Sequence, residues 1–321
     1  MMKILLLVHK ERRTILDRLY ENITARTDCD IRRLSKAEQE NLKHYFRDNV
    51  DVDRYERIVL FDLRFKRLMR QVLFIRSIPN LVTVEFDVWQ NYYPTELQNK
   101  FSAYFRRLPA VRVLSSGFQV TKKLLVEGVD AIFIPKGCYQ DSLRNHGGVR
   151  DIELAFIGTT KADGYQGRRA ILEAIKAYEP AMKVLVTESG SDYCVMLNRI
   201  RFFISPDMGM GEYMIKNFEA MACGCVLCAC DQGEAENEAL GFVDMENLVL
   251  FRNVDELREK LQCLRADPAR ADRIAAAGQA LVEREYFYER IAERIVEALR
   301  PPLRPNPVPG RLERLRLALR L

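Results

Sequence analysis

Glu212, Lys216 and Glu219 recur at spacings of four and three, which puts side chains on one face of an α-helix. A carboxylate there can take two hydroxyls of a ribose or hexose, and a lysine beside it can neutralise a phosphate. The same spacing also suits an exposed, ion-paired helix face. Just upstream, the apolar run Phe202–Ser205 leads into Pro206, Asp207, Met208, Gly209, Met210 and Gly211. Small residues immediately before a helix let its free N–H groups approach an anion. In the first half, Asp87 follows the apolar run ending at Phe86 and precedes Trp89, Tyr92 and Tyr93. A carboxylate at the carboxyl end of a strand can act as base toward an acceptor hydroxyl if the reaction inverts, and neighbouring aromatics suit sugar rings. The alternative for Asp87 is a helix N-cap or a loop charge beside core aromatics. His9 holds the corresponding place after the first strand, where it is either a cleft residue or a plain polar loop residue.

Several chemistries are disfavoured by what is missing. No G-x-G-x-x-G follows Val8, and no G-x-x-x-x-G-K-[ST] occurs, which argues against a nicotinamide dehydrogenase and a P-loop hydrolase. Four of the eight cysteines crowd into Cys223, Cys225, Cys228 and Cys230. A tetrahedral metal site usually needs two knuckles far apart in sequence, so these read as buried thiols in a packing layer, and no metal is expected. The Asp28/Asp30 and Asp51/Asp53 pairs read as solvated loop charges rather than as metal-binding Asp-x-Asp motifs.

These residues need a scaffold. Short apolar runs at 3–8, 57–61, 81–86, 111–114 and 131–134 alternate with helical stretches such as 11–24, 96–108 and 119–127. That alternation predicts a parallel α/β sheet. Residues 138–150 carry Gly147, Gly148 and little periodicity, and read as a linker. The pattern then restarts, with strands at 152–157, 183–187, 202–204, 226–229 and 248–251. Helices follow at 167–178, 193–199, 212–223, 254–265, 268–286 and 289–299. Two Rossmann-like α/β domains are expected, 1–148 and 149–299, facing one another across a cleft. A proline-rich spacer and a basic amphipathic tail helix would occupy 300–321, with Leu312, Leu315 and Leu319 on one face.

The formal net charge of +5 hides an uneven distribution. Residues 1–150 hold 27 Lys+Arg against 18 Asp+Glu, residues 151–300 hold 18 against 26, and residues 301–321 hold 5 against 1. A basic first half and tail predict an anionic acceptor or membrane surface as partner. No nucleic-acid motif accompanies the charge, so nucleic acid is not expected. No run approaches the ~20 apolar residues of a membrane span, and the start does not read as an export signal. A cytoplasmic chain, peripheral at the inner membrane face, is the expectation.

The segment Gly211–Leu227, with its Glu-Ala-Met-Ala-Cys-Gly core at 219–224, resembles the donor-binding segment of GT-B glycosyltransferases of the family 1/4-like group, especially its CgeB-like branch. The resemblance extends upstream through Asp151–Gly158 and Arg168, and downstream through Asn247–Phe251, Asp267-Pro268, Ala277-Gly278 and Tyr286–Arg290. In the first half it rests mainly on Val113–Ser116 and Ile134–Gly137. It implies a GT-B fold and transfer of a sugar from a nucleotide-diphosphate sugar to a glycan or lipid-linked acceptor in bacterial surface-polysaccharide or glycoconjugate synthesis. It implies no cofactor, since the nucleotide sugar is a substrate, and a retaining outcome. It also implies that Glu219 grips the donor ribose, and that Gly211, Glu212, Met214 and Ile215 lie along the diphosphate and sugar with Lys216. Gly158, Lys161 and Arg168 would line the diphosphate from the other side. The glutamates here are spaced E-x6-E, whereas the commoner pattern is E-x7-E. The alternative reading is a non-catalytic GT-B-like module that binds sugar nucleotide or glycan.

Overall fold

The computed structural model describes all residues except 11–13, 161–165, 188–189, 308–309 and 311–321. Two compact units divide the chain: 1–134 with 292–321, and 135–291. Each is built on one all-parallel sheet.

The first sheet comprises β1 (Lys3–His9), β2 (Asp28–Leu34), β3 (Arg57–Phe61), β4 (Leu81–Glu85), β5 (Arg112–Ser115) and β6 (Asp130–Phe133), in the order β2-β1-β3-β4-β5-β6. The second comprises β7 (Ile152–Ile157), β8 (Lys183–Leu185), β9 (Ile200–Ser205), β10 (Val226–Cys230) and β11 (Val249–Phe251), in the order β11-β10-β9-β7-β8. Both orders are doubly wound. The chain leaves the first strand toward one edge and then crosses to the other side, so a topological switch point falls between β1 and β3, and again between β7 and β9. In such sheets ligands bind outside the carboxyl ends of the strands at that point.

The apolar pattern explains the second sheet. Leu154 and Phe156, Phe202 and Ile204, and Val226, Cys228 and Cys230 alternate along their strands and share a core with Leu172, Leu257, Leu261 and Ile274 from the covering helices. Cys223, Cys225, Cys228 and Cys230 are all free and buried, with Cys228 and Cys230 on one strand face as expected. Burial pushes the Cys225 thiol up to about 12. These thiols act as small packing groups.

The structure corrects four sequence expectations. Asp28 and Asp30 lie on a strand, not a loop. Asp30 accepts hydrogen bonds from Arg32 and Tyr55, both at 2.6 Å. This is the edge strand β2, whose polar side chains face water while its backbone pairs with β1. The boundary falls at Ile134/Pro135 rather than at 148, and 138–150 is no free linker. Its polar residues are consumed by the second unit: Arg150 donates to the carbonyls of Ile200 (2.6 Å) and Cys223 (2.5 Å), and Asn198 donates to Arg144 O at 2.9 Å. A helix at Glu234–Leu240 went unread, and the 96–108 helix shrinks to Lys100–Phe105.

The fourth correction concerns the C-terminus. The helix Tyr288–Leu299 returns the chain to the first unit, and the proline-rich segment after it belongs there. Prolines leave its carbonyls without intrasegment donors, and arginines at the amino ends of β3 and β5 and on the helix Val72–Ser77 supply them. Arg112, at the start of β5, donates to Ala298 O (3.1 Å), Pro301 O (3.0 Å) and Pro302 O (2.9 Å), while its Nε pairs with Asp130 at 3.1 Å. Arg57 donates to Leu299 O (2.7 Å) and Pro301 O (2.9 Å). Arg76 donates to Pro307 O, and Asn306 donates back to Arg76 O at 2.7 Å. The expected tail helix, 311–321, lies outside the described residues.

Arg112 is 6% exposed. Arg112→Ala strips donors from three tail carbonyls and leaves Asp130 without its ion-pair partner. Urea unfolding is expected to show a loss of about 3 kcal/mol, with Arg112→Lys recovering only part because one ammonium cannot reproduce the fork. An unchanged midpoint in Arg112→Ala would refute this anchoring.

Candidate functional site

The switch point of the second sheet is where the candidate residues converge. β7 ends at Ile157, and Gly158 follows at φ 151°, a conformation side chains rarely adopt. A Cβ on Gly158 would lie 2.6 Å from Lys216 Nζ and 2.9 Å from the Phe156 ring. The glycine therefore makes room for the lysine. Lys216 Nζ donates to Ile157 O at 3.3 Å and sits 4.6 Å from the centroid of the Phe156 ring. Removal from water pulls this ammonium down to about 8.

Arg168 comes from the helix Gln166–Tyr178, which starts the crossover out of β7. Its guanidinium donates to Asp207 Oδ1 (Nε at 2.7 Å, Nη2 at 2.6 Å) and to Thr159 O at 2.8 Å. Asp207, just beyond β9, was not anticipated from sequence. Its signal was available: a lone acid two residues past an apolar strand, facing an arginine past the neighbouring one. Both side chains are buried, at 5% and 2% exposure.

Glu219 lies within the helix Ile215–Ala222, which is buried from Asn217 onward. It accepts a hydrogen bond from Tyr193 Oη at 2.8 Å, and Tyr193 belongs to the neighbouring helix Ser191–Arg199. Burial pushes the Glu219 carboxyl up to about 7, against the opposing pull of the Tyr193 hydroxyl and the Lys216 charge. Glu219 and Lys216 are therefore a carboxylate and an ammonium that burial has brought toward neutral pH from opposite sides.

Glu212 departs from the expected helical face. The helix starts only at Ile215, with Met214 as its N-cap, because Gly209 and Gly211 adopt φ 74° and 71° and hold the preceding segment in a loop. Gly211 N is fixed by Gln232 Oε1 at 2.9 Å, and Gln232 also ties down Asp207 O. Glu212 itself is 1% exposed and paired with Lys136 at 2.5 Å. Lys136 comes from the Ile134–Gly137 turn and also reaches Met214 Sδ at 3.7 Å. Glu212 thus anchors the loop that precedes the helix. Lys161 lies outside the described residues.

In the first unit, His9 is the last residue of β1, buried and beside the β1/β3 switch point. Asp87 is exposed, two residues beyond β4, and its amide donates to Glu85 Oε1 at 3.1 Å. It precedes the short 3-10 turn Val88–Asn91, but its side chain makes no cap bond. Trp89 is 7% exposed with an edge-on contact to Tyr93, so it packs in the core rather than offering a ring to a sugar. Among the described residues, Asp62, Glu85 and Asp87 form the one group of three acidic, histidine or cysteine side chains with ligand atoms within 4.8 Å of one another. Sequence reading missed Asp62 and Glu85 because the three come from two strands. Among the described residues, no helix is long and apolar enough to cross a membrane.

Comparison with known proteins adds to this geometry. Residues 158–297 match a protein-family model described as Glycosyl transferase-like. No curated protein matches the sequence significantly. Solved structures match along almost the whole chain. A sucrose-phosphate synthase from Thermosynechococcus elongatus is 14% identical, with TM-score 0.67 over 94% of this chain and 98% of that one. Anabaena HepE in complex with UDP-glucose is 12% identical, with TM-score 0.67 over 93% and 99%. A glycosyltransferase from Rickettsia africae is 9% identical, with TM-score 0.64 over 93% and 98%.

The Glu219 environment has a measurable signature. Its folded-state value of about 7 lies above the ordinary 4.5. The buried carboxyl therefore favours folding fully below the unfolded value, and that contribution is lost as pH rises through 7. Between pH 5 and pH 8 the effect is on the order of 3 kcal/mol. Glu219→Gln is expected to match the wild type in stability near pH 5 and to exceed it near pH 8. Parallel melting curves at both pH values would contradict the assignment.

Proposed function

On the premise that the chain has the GT-B fold and that residues 158–297 form a glycosyl transferase-like domain, we propose that it transfers a sugar from a nucleotide-diphosphate sugar to an acceptor. The observation that carries this reading is the convergence of Gly158, Arg168, Lys216 and Glu219, from three separate segments, at the carboxyl edge of the second sheet. Glu219, once ionised, accepts the two hydroxyls of the donor ribose. Lys216 and Arg168 face the diphosphate. The free N–H groups at the start of the helix Ile215–Ala222, reached through Gly211 and Met214, add partial positive charge.

The chemistry follows from that placement. As the glycosidic bond breaks, negative charge gathers on the departing diphosphate. An ammonium, a guanidinium and helix N–H groups already aimed at it stabilise the transition state without reorganising. In our reading this protein-supplied positive charge takes the part that a metal ion plays elsewhere, and the transfer retains configuration. Complexes of HepE with UDP-glucose and with UDP and glucose support a nucleotide-sugar donor here. The basic charge of residues 1–150 supports an anionic glycan or lipid-linked acceptor, with the chain working at the cytoplasmic membrane face in surface-polysaccharide or glycoconjugate synthesis. Asp87 and His9, at the carboxyl edge of the first sheet, are the side chains nearest that role.

One observation favours a second reading. Glu212 is consumed by Lys136, which leaves the donor sugar one acidic partner fewer than a two-glutamate site supplies. A non-catalytic sugar-nucleotide-binding module would bind donor and turn none over.

Thermal shift with UDP, GDP, dTDP and CMP sugars tests the donor site. One of them at 100 times its Kd is expected to stabilise the chain by about 2.7 kcal/mol, and Glu219→Ala should abolish the shift. Gly158→Ala should weaken it by displacing Lys216. Nucleotide-sugar affinity should rise from pH 6 as Glu219 ionises and fall again above pH 8 as Lys216 gives up its proton, and in Glu219→Gln only the fall should remain. No stabilisation by any donor would end the transferase reading, whereas binding without turnover would leave the module.

A further inference from the structure

The amino ends of β3 and β4 border a concavity of about 550 Å³, at the opposite edge of the first sheet from His9 and Asp87. It lies within the first unit, and the proline-rich segment after Leu299 forms part of its wall. Ile78, Leu81, Leu108 and Val111, each 5% exposed or less, supply its apolar surface. Arg57, Arg76, Arg300 and Arg304 also line it, and among the described residues no aspartate or glutamate does. An apolar concavity of this size with a few polar groups is the usual form of a small-molecule site.

Hydrogen bonding accounts for much of this arginine cluster and leaves its charge unanswered. The Arg57 guanidinium donates to backbone carbonyls: Leu299 O at 2.7 Å, Pro301 O at 2.9 Å and Glu56 O at 2.6 Å. Arg304 donates to Gly128 O, and the exposed Arg300 side chain makes no hydrogen bond or ion pair among the described residues. A carbonyl satisfies a donor but does not neutralise a cation. Asn306 meets the Arg76 carbonyl with a neutral amide at 2.7 Å, so a junction between this segment and the rest of the unit can be made without charge. The neighbouring carboxylates are engaged elsewhere: Asp130 pairs with Arg112 at 3.1 Å, and Glu56 accepts from the Lys3 amide at 2.9 Å. Burial, and then the charge of Arg112, pull the Arg57 guanidinium below its ordinary value. The partial negative charge at the carboxyl end of the helix Val72–Ser77, which carries Arg76, offsets only a fraction of one cation. Several positive charges around one concavity match an anion of more than one negative charge, and guanidinium forks bind phosphate oxygens in pairs.

We propose that this amino-edge concavity binds a small soluble phosphate carrying at least two negative charges, and that the bound anion fastens the proline-rich segment to the first sheet. Arg300 and Arg304 supply its hydrogen bonds, and Arg57 supplies charge. The fastening follows from the origin of these cations: Arg57 belongs to β3 and the other two to the returning C-terminal segment, so one anion held by all three ties segment to sheet. Nothing in this inference depends on the transferase reading.

The test is a titration of the full chain with inorganic pyrophosphate, followed by amide chemical shifts, with sodium chloride at matched ionic strength as the comparison. Saturable shifts are expected at the amides of Arg300, Leu303 and Arg304 with pyrophosphate and not with chloride. Arg300→Ala/Arg304→Ala should weaken that binding about tenfold or more. Both side chains are exposed, so the rest of the double variant's spectrum should match the wild type. Chymotryptic cleavage after Leu303 should slow in the wild type when pyrophosphate is bound. UDP in place of pyrophosphate separates two sources of the phosphate. Tighter binding at the same amides identifies a nucleotide, equal or weaker binding a free polyphosphate, and either result supports the site. Shifts confined to the second unit, an equal response to chloride, or an unaffected double variant would each overturn the proposal. Unslowed cleavage at saturation would overturn the fastening.

Discussion

The second unit is organised around charges that have been taken out of water without being paired to each other. Glu219 is held by a tyrosine hydroxyl and Lys216 by a carbonyl and an aromatic face, and the two are not within ion-pair distance. Burial alone would neutralise each. Much of what surrounds them serves to hold them there: Gly158 clears space for the lysine, Tyr193 is placed for the carboxylate, and Asp207 fixes Arg168 at the same strand edge. Groups left electrostatically hungry in this way are suited to a ligand bearing both hydroxyls and an anion, which would complete both at once.

This also accounts for the apparent conflict between an acidic second half and the anionic donor proposed for it. The acidity of residues 151–300 is spread over surface positions, such as Glu153 and Glu179 paired with Arg265, and Asp151 paired with Arg199. Exposed pairs of that kind are screened and act over short range. The field inside the second unit's strand edge is set by the few cations buried there, Arg168 and Lys216. Net charge reports on solubility and approach, and local geometry reports on binding.

The alternation of apolar runs made the two parallel sheets legible, since buried parallel strands write themselves as continuous hydrophobic stretches. Ten of the eleven strands among the described residues followed from that signal. β2 did not, because an edge strand with water on its side chains carries charges where a central strand carries valine and leucine. Glu219 and Lys216 were legible from spacing and from the Glu-Ala-Met-Ala-Cys-Gly core. Glu212 misled because periodicity continues through residues 212–219, whereas two glycines at positive φ delay the helix to Ile215. Lys136, Asp207, Asp62 and Glu85 were hidden for a common reason. Each meets its neighbours only through the register of parallel strands and the turns that leave them, and that juxtaposition has no local spacing to read.

The first unit is assembled from both ends of the chain. On the ribosome its strands emerge before the second unit, yet Arg57, Arg76 and Arg112 must wait for carbonyls of residues 298–307, which are made after it. Until then Arg57 and Arg112 at the amino edge of the sheet, and Arg76 on the helix Val72–Ser77, lack these acceptors, and the second unit must be made in full before they arrive. Completion of the first unit thus depends on synthesis continuing past the second: a chain cut short before residue 298 lacks the carbonyls that Arg57, Arg76 and Arg112 hold, and its opening half remains unlatched and open to chaperones and proteases.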